Sequence, residues 1–204
     1  GGWEGAANIV NTDDGGFIVG GGGSGGAVYA KADANGDFEW SDCTPGGWMH
    51  DFRRANDGGY VGFGRQPVGS MEGAIFKYDE NMDLEWSRTY GDTGFDLAIG
   101  GIPTKDGGYA FTGYFLATAT AGFGADDLWF VKTDAFGNVE HELIIGSALG
   151  NDQGDMVLEL SDGRYAIPGR LFESAGGLGS TDAALVFIEI IGDPATVDGT
   201  VFFD

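Results

Sequence analysis

Short apolar and aromatic runs, each bounded by Gly, Asp or Asn, recur along the whole chain. Between residues 50 and 89 they are His50–Ala55, Tyr60–Gly64, Gly73–Tyr78 and Leu84–Thr89. Enrichment in β-branched and aromatic residues, with turn formers at both ends, predicts β-strands. No segment carries a capped apolar period of 3.6 residues. Residues 117–125 come nearest, but their Thr and Gly content predicts a long loop between strands. The pattern predicts an all-β chain.

The runs come in sets. Asp-Gly-(Gly/Arg)-aromatic, with a further Gly seven positions after the Asp, starts at Asp14, Asp57, Asp106 and Asp162. The separations are 43, 49 and 56 residues. An apolar run ending in a charged residue follows each copy: Ala27–Lys31, Ala74–Lys77, Leu128–Lys132 and Ala184–Glu189. Asp33, Asp79 and Asp134 lie two positions beyond the three lysines, and Glu39-Trp40, Glu85-Trp86 and Glu140-His141 come after the next turn. Three of the four lysines thus occupy one repeat position. Gly1, Gly46, Gly91 and Gly150 open the units, and Ala6, Asp51, Asp96 and Asp155, five residues on, are expected to be equivalent. The units are 1–45, 46–90, 91–149 and 150–204, read as a single domain, and the fourth has diverged furthest.

Gly tolerates positive φ, so the Asp-Gly-Gly pieces suit hairpin turns between first and second strands, and Asn35-Gly36 and Gly137-Asn138 suit those between third and fourth. Four antiparallel strands per unit of this length predict a β-propeller of four four-stranded blades; solenoid coils are shorter. The Gly-dense second strands, Gly20–Gly23 and Tyr60–Gly64, are expected at the crowded axis. Thr200–Phe203 is expected to complete the fourth blade, the alternative being donation to a neighbour as an added strand. Closure by four blades alone, open terminal blades and membership of a longer array all fit the repeat count. An open end would expose an edge strand able to pair with another copy.

The pattern Gly-x4-Asp … Asp-Gly-Gly-Tyr-x3-Gly … Lys-x-Asp-x-x-Gly-x-x-x-Trp resembles the propeller-type repeats of secreted and cell-surface bacterial and archaeal proteins, and is more distantly similar to kelch repeats. It covers nearly the whole chain, most fully in the second and third units. Sialidase-type Asp boxes and a Trp-Asp series are absent. The resemblance implies an extracellular or surface-exposed module and no defined reaction.

Charge narrows the partners. Ten Lys and Arg stand against 32 Asp and Glu, a net charge of −22 in 204 residues. Such a field repels phosphate backbones and anionic lipid and argues against nucleic-acid binding. No run reaches the 18 or so apolar residues of a membrane span. Gly, at 40 residues, disfavours helical bundles. Cys43 is the only cysteine, so neither an intrachain disulfide nor a Cys-x-x-Cys zinc site can form, and it is expected as a small half-buried side chain.

Lys31, Lys77 and Lys132, with the Asp two positions on, are expected to make an ion pair or turn contact repeated in each blade, since a catalytic lysine would be unique. The loops of Asp33, Asn35 and Asp37 and of Asp79, Asn81 and Asp83 place hard oxygens at alternate positions, as Ca²⁺ prefers. Ordinary turn chemistry explains them too and is preferred. No organic cofactor is expected, and Ca²⁺ is the one ion the pattern suits. Asp126, Asp127, Asp152 and Asp155 form a further acidic group of the same kind. Trp3, Trp40, Trp48 and Trp86 recur at repeat positions and are expected as wedges between blades. Trp129 breaks that register; with Tyr114 and Phe115 it is the candidate exposed ligand contact.

Three functions follow in order: a non-catalytic extracellular structural or interaction module, self-assembling or bound to other surface proteins; a glycan-binding propeller; and a hydrolase or lyase with Asp152, Asp155 and Glu173 at a central channel.

Overall fold

The structure, a computed structural model, describes residues 4–116, 126–146, 150–172, 181–190 and 197–203; for 4, 181–182 and 197–203 only the backbone is described. The loop expected at 117–125, together with Trp3 and Glu173, lies outside these residues.

Every element is a strand. The first sheet holds β1 (Glu4–Asn11), β2 (Phe17–Gly23), β3 (Gly26–Ala32) and β4 (Phe38–Pro45). The second holds β5 (Trp48–Arg54), β6 (Tyr60–Val68), β7 (Ser70–Tyr78) and β8 (Leu84–Tyr90). The third holds β9 (Leu97–Pro103), β10 (Tyr109–Phe115), β11 (Asp127–Thr133) and β12 (Val139–Ile145). In the fourth the first strand is split into β13 (Gln153–Gly154) and β14 (Leu158–Glu159), both paired with β15 (Tyr165–Phe172), which leads to β16 (Thr181–Ile190) and β17 (Val197–Phe203). Each sheet is an antiparallel meander in chain order and falls within one repeat unit. β17 pairs with β16 of its own chain, as expected for the C-terminal run.

Consecutive sheets stack. Ile18, Ala27 and Tyr29 of the first meet Met49, Phe52, Phe76 and Tyr78 of the second. Val61, Phe63 and Ile75 of the second meet Phe111, Trp129 and Val131 of the third. Ala110, Leu128 and Phe130 of the third meet Ile167, Val186 and Ile188 of the fourth. Three apolar layers between four sheets are therefore the core, because one sheet alone buries neither face. The architecture is an all-β, propeller-like array of four four-stranded blades. Among the described residues, the fourth sheet does not pack on the first as neighbouring sheets pack on each other.

The innermost strands are the first of each sheet: β5 touches both β1 and β9. The expectation that the Gly-dense second strands crowd the axis is corrected. Those glycines lie between sheets, where an aromatic ring takes the place of a side chain. A Cβ on Gly20 would come within 2.5 Å of Phe52, and one on Gly22 within 2.3 Å of Trp48. The last Gly of the repeat motif answers a different constraint. The first strand bulges at Ala7, His50 and Ile99, and its carbonyl then presses on the second strand. Added Cβ atoms on Gly21, Gly64, Gly113 and Gly169 would lie 2.0, 1.8, 1.8 and 2.2 Å from the carbonyl oxygens of Gly5, Trp48, Leu97 and Gln153.

The same pairing register corrects the expected equivalence of Ala6, Asp51, Asp96 and Asp155. Ala6, Met49, Ala98 and Gly154 are the residues that share a ladder position, opposite those four glycines. Asp51 stands opposite Phe63, Asp96 precedes β9, and Asp155 follows β13. Sequence spacing from an opening Gly cannot register strands that begin after loops of unequal length.

Candidate functional site

The polar side chains that repeat are joined to one another. Asp57 accepts from the Gly59 amide at 3.0 Å, and its second oxygen lies 2.8 Å from Lys77 Nζ. Lys77 also reaches Glu85 at 2.6 Å and the Tyr78 carbonyl at 2.8 Å, with 3% of its side chain exposed. Lys132 repeats the set with Asp106 at 2.9 Å, Glu140 at 2.8 Å and the Thr133 carbonyl at 2.8 Å. Lys31 pairs with Asp14 at 2.7 Å and with Glu39. The three glutamates sit at bulges in the outer strands, between Phe38 and Trp40, Leu84 and Trp86, and Val139 and His141. The bulge gives each Glu the extra residue that carries it over the ammonium.

Burial lowers the Lys77 pKa, but its hydrogen bonds with Asp57 and Glu85 outweigh this and raise it overall. Burial of Asp106 is outweighed by hydrogen bonds from Thr104, Lys132 and Gly108, which hold it at about 2. Lys77 and Asp106 stay charged at neutral pH, and in all three sets the ammonium is held between the two carboxylates. The arrangement fastens turn to strand and offers no free nucleophile or base. The partners of the lysines are the turn Asp and the outer-strand Glu. The Asp two residues beyond each Lys has a separate task.

That task is the third turn. Asp33 Oδ1 accepts the amides of Asn35 at 2.8 Å and Asp37 at 2.9 Å. Asp79 does the same for Asn81 and Asp83, and Asp134 for Phe136 and Asn138. Of the oxygens considered for Ca²⁺, Asp33 Oδ1 and Asp79 Oδ1 are engaged by the amides of their own turns, and no group of three or more His, Cys, Asp or Glu able to hold a metal occurs among the described residues.

The inner acids serve as latches. Asp51 accepts from Asn8 of the first sheet at 2.8 Å and from the Gly101 amide of the third at 3.1 Å, and Arg53 pairs with it at 3.0 Å. Asp96, fully buried, accepts the amides of Asp92 and Leu116, both at 2.9 Å. Asp152, also fully buried, accepts the Phe172 amide at 2.5 Å. Asp96 and Asp152 therefore tie the start of an innermost strand to the end of its neighbour. Burial pushes the Asp96 carboxyl up to about 6, against the lowering effect of those two amides. His50, the bulged residue of β5, is stacked on Trp48 at 6.3 Å, and burial, helped by the Arg65 charge, lowers it to about 4. The sequence marks Asp96 only as a repeat position and gives His50 no role. Their signal is positional (strand entry and bulge), and it is visible only once the ladders are known.

Two readings of single residues are corrected. Trp129 is fully buried and Phe115 5% exposed; they lie 5.7 Å apart in the layer between the second and third sheets. Trp129 is a wedge, its indole N–H donating to Glu142 at 2.8 Å. The register that made it look exceptional is a size exchange, since its counterpart in the second sheet is Ala74 and Gly73 leaves room for its ring. Tyr114 alone of that trio is partly exposed, stacked on Phe95 at 6.3 Å. Trp40 and Trp86 are partly buried wedges, as expected. Cys43, expected half-buried, is exposed, on a sheet face over which none of the described residues packs.

That face is open. Ala6, Val19, Gly21, Val28, Ala30 and Cys43 line an open hollow of about 540 Å³ on the side of the first sheet turned away from the second. At the other end of the stack, Leu158, Pro168 and Leu185 are exposed on the side of the fourth sheet turned away from the third. No protein-family model matches the chain, and no curated protein matches it. No helix among the described residues is long and apolar enough to cross a membrane.

Proposed function

We propose that the chain is a non-catalytic structural and interaction module of the extracellular or cell-surface space, which associates through the faces of its terminal sheets. One observation carries this reading: among the described residues both ends of the stack leave apolar sheet faces uncovered, while the repeated charged groups are occupied as internal fasteners. Monomers seldom leave such faces open unless something binds there. The acidic balance fits a setting where dissolved ions screen self-repulsion. The resemblance of the repeat to those of secreted and surface proteins supports the location.

The test pairs light scattering at high protein concentration with assays against glycoside, ester, peptide and polysaccharide-lyase substrates. Association without turnover is expected. Turnover abolished by Asp51→Asn or Asp152→Asn in a folded chain would overturn the reading.

A further inference from the structure

Each interior layer is formed by the trailing face of one sheet and the leading face of the next. The pairing registers allow the faces of the two terminal sheets to be compared with these, position by position. Tyr29, Ile75 and Phe130 occupy one trailing position, opposite Gly20, Phe63 and Thr112, and are 7%, 0% and 0% exposed. In the fourth sheet that position is Leu185, opposite Pro168, and it is 39% exposed. On the leading side, Phe52 is opposite Gly62 and fully buried under the first sheet. Its counterpart in the first sheet is Ile9, opposite Val19, and it is 56% exposed. Ile9 and Leu185 are thus core residues by position that lack a neighbouring sheet.

From this we infer that the fourth sheet of one copy packs on the first sheet of a second copy, continuing the stack head to tail. This rests on the module reading above and names its partner. Size supports it. The leading face of the first sheet carries small side chains, with Ala30 and Ala32 where the second sheet has Phe76 and Tyr78, and this leaves the hollow of about 540 Å³. The trailing face of the fourth sheet carries the bulk that hollow lacks: Leu158, Pro168 and Leu185. Interior layers are balanced the same way. Small Gly20 and Gly22 of the first sheet receive Phe52 and Trp48 of the second, and Gly101 of the third receives Phe63. Close-packed layers need this exchange of large for small. A face-to-face pairing of two identical first sheets would set hollow against hollow. The contact is therefore heterologous, one face of each kind, closing as a ring or extending as a chain of copies.

The chain's net charge of −22 opposes the contact at low ionic strength. The association constant is expected to rise about tenfold or more between about 0.05 and 0.5 M salt, where the screening length shortens. Cys43 lies in the hollow and reports on it, since contact shields the thiol from maleimide.

Sedimentation velocity across a concentration series, with Cys43 labelling rates in parallel, tests the inference on the intact chain and on two variants, Ile9→Asp and Leu185→Asp. Both positions are exposed, so both variants are expected to fold, which circular dichroism checks. The expected result is concentration-dependent association of the unmodified chain with slowed Cys43 labelling. Each variant alone should associate at least 100-fold more weakly. An equimolar mixture of the two, which restores one intact pair of faces, should form a dimer and stop there. A chain that stays monomeric at high concentration and salt overturns the inference, because the faces then belong to another partner or to further sheets. Association that neither variant weakens also overturns it, and leaves the module reading standing. Failure of the mixture to pair overturns the head-to-tail geometry.

Discussion

The Arg164 guanidinium lies 5.6 Å over the ring centre of Phe187, at the two places that Gly59 and Lys77 hold in the second sheet. In the second and third sheets the turn residue must be Gly: an added Cβ would fall 2.3 Å from the Tyr78 carbonyl and 2.9 Å from Lys77 Nζ, or 2.1 Å from the Thr133 carbonyl and 2.8 Å from Lys132 Nζ. With Phe in place of Lys, the cation comes from the turn. Arg164 pairs with Asp162 at 2.8 Å and covers the ring. Two apparent defects of the fourth repeat are one exchange: the charge has moved from strand to turn.

Phe187→Lys alone therefore sets an ammonium against Arg164 and removes the ring it covers, and is expected to destabilise the fold. The double variant Arg164→Gly/Phe187→Lys rebuilds the Lys–Asp162 pair and should recover most of that loss. Urea unfolding of the four species gives the coupling energy. A value near zero would show that the exchange is coincidental.

The glycines of one motif differ in what holds them, so alanine should rank them. Gly58 adopts φ +95° with open space around its missing Cβ, and Gly58→Ala is expected to cost about 1 kcal/mol from the left-handed backbone alone. At Gly64 the obstacle is the Trp48 carbonyl, 1.8 Å from an added Cβ, and backbone cannot step aside as a side chain can. Gly64→Ala should cost more than about 3 kcal/mol or prevent folding. Thermal melts of the two variants decide the order.

The sequence made the repeat legible because its most constrained positions are local. Turn glycines, the Asp that accepts an amide two residues on, and the recurring lysines each sit within a few residues of their reason. In the second unit β5 and β8 fall within two residues of the expected limits, whereas β6 runs four residues past Gly64 and β7 starts three residues before Gly73, because that hairpin extends beyond the repeat motif. What sequence could not supply was register across long loops. Trp129 looked like an outlier because the volume that compensates it, at Gly73, belongs to another sheet. The repeat pattern puts Glu189 at the charged end of the fourth run, whereas Phe187 holds the lysine's place and its partner Arg164 lies in the turn before the neighbouring strand. The uncovered faces were equally hidden. Ile9 and Leu185 have the same apolar character as their buried counterparts, and only the stack's two ends distinguish them.

Trp129 provides a direct measure of the corrected assignment. Buried against Phe111 at 5.0 Å and Phe115, it should cost about 3–5 kcal/mol when changed to Ala, as for a large core side chain. Trp129→Phe should recover roughly half, losing the bond to Glu142 but keeping the wedge. A change of less than about 1 kcal/mol in Trp129→Ala would return the residue to the surface.

Asp96 and His50 set opposite pH dependences that overlap. Asp96 is at about 6 in the folded chain, above its ordinary 3.8, so the folded state holds the extra proton between those values. Its contribution is complete at low pH and is lost as pH rises through about 6. His50 is at about 4, below its ordinary 6.5, so the folded state holds fewer protons there. Its contribution is complete above about 6.5 and is lost as pH falls towards 4. The two slopes largely cancel, and the unmodified chain should show a plateau from these groups between about pH 4 and 6.5. Asp96→Asn uncovers the histidine: stability should then fall on acidification across that window by about 1–3 kcal/mol. His50→Gln uncovers the carboxyl, and stability should rise on acidification over the same range. Below about pH 4 every variant loses stability together, as Asp106, held at about 2, and Asp14, held low by Lys31 and Thr12, take up protons and release their lysines. Urea midpoints from pH 3 to 8 for the three chains measure this. Parallel curves for both variants and the parent would show that neither group changes its pKa on folding.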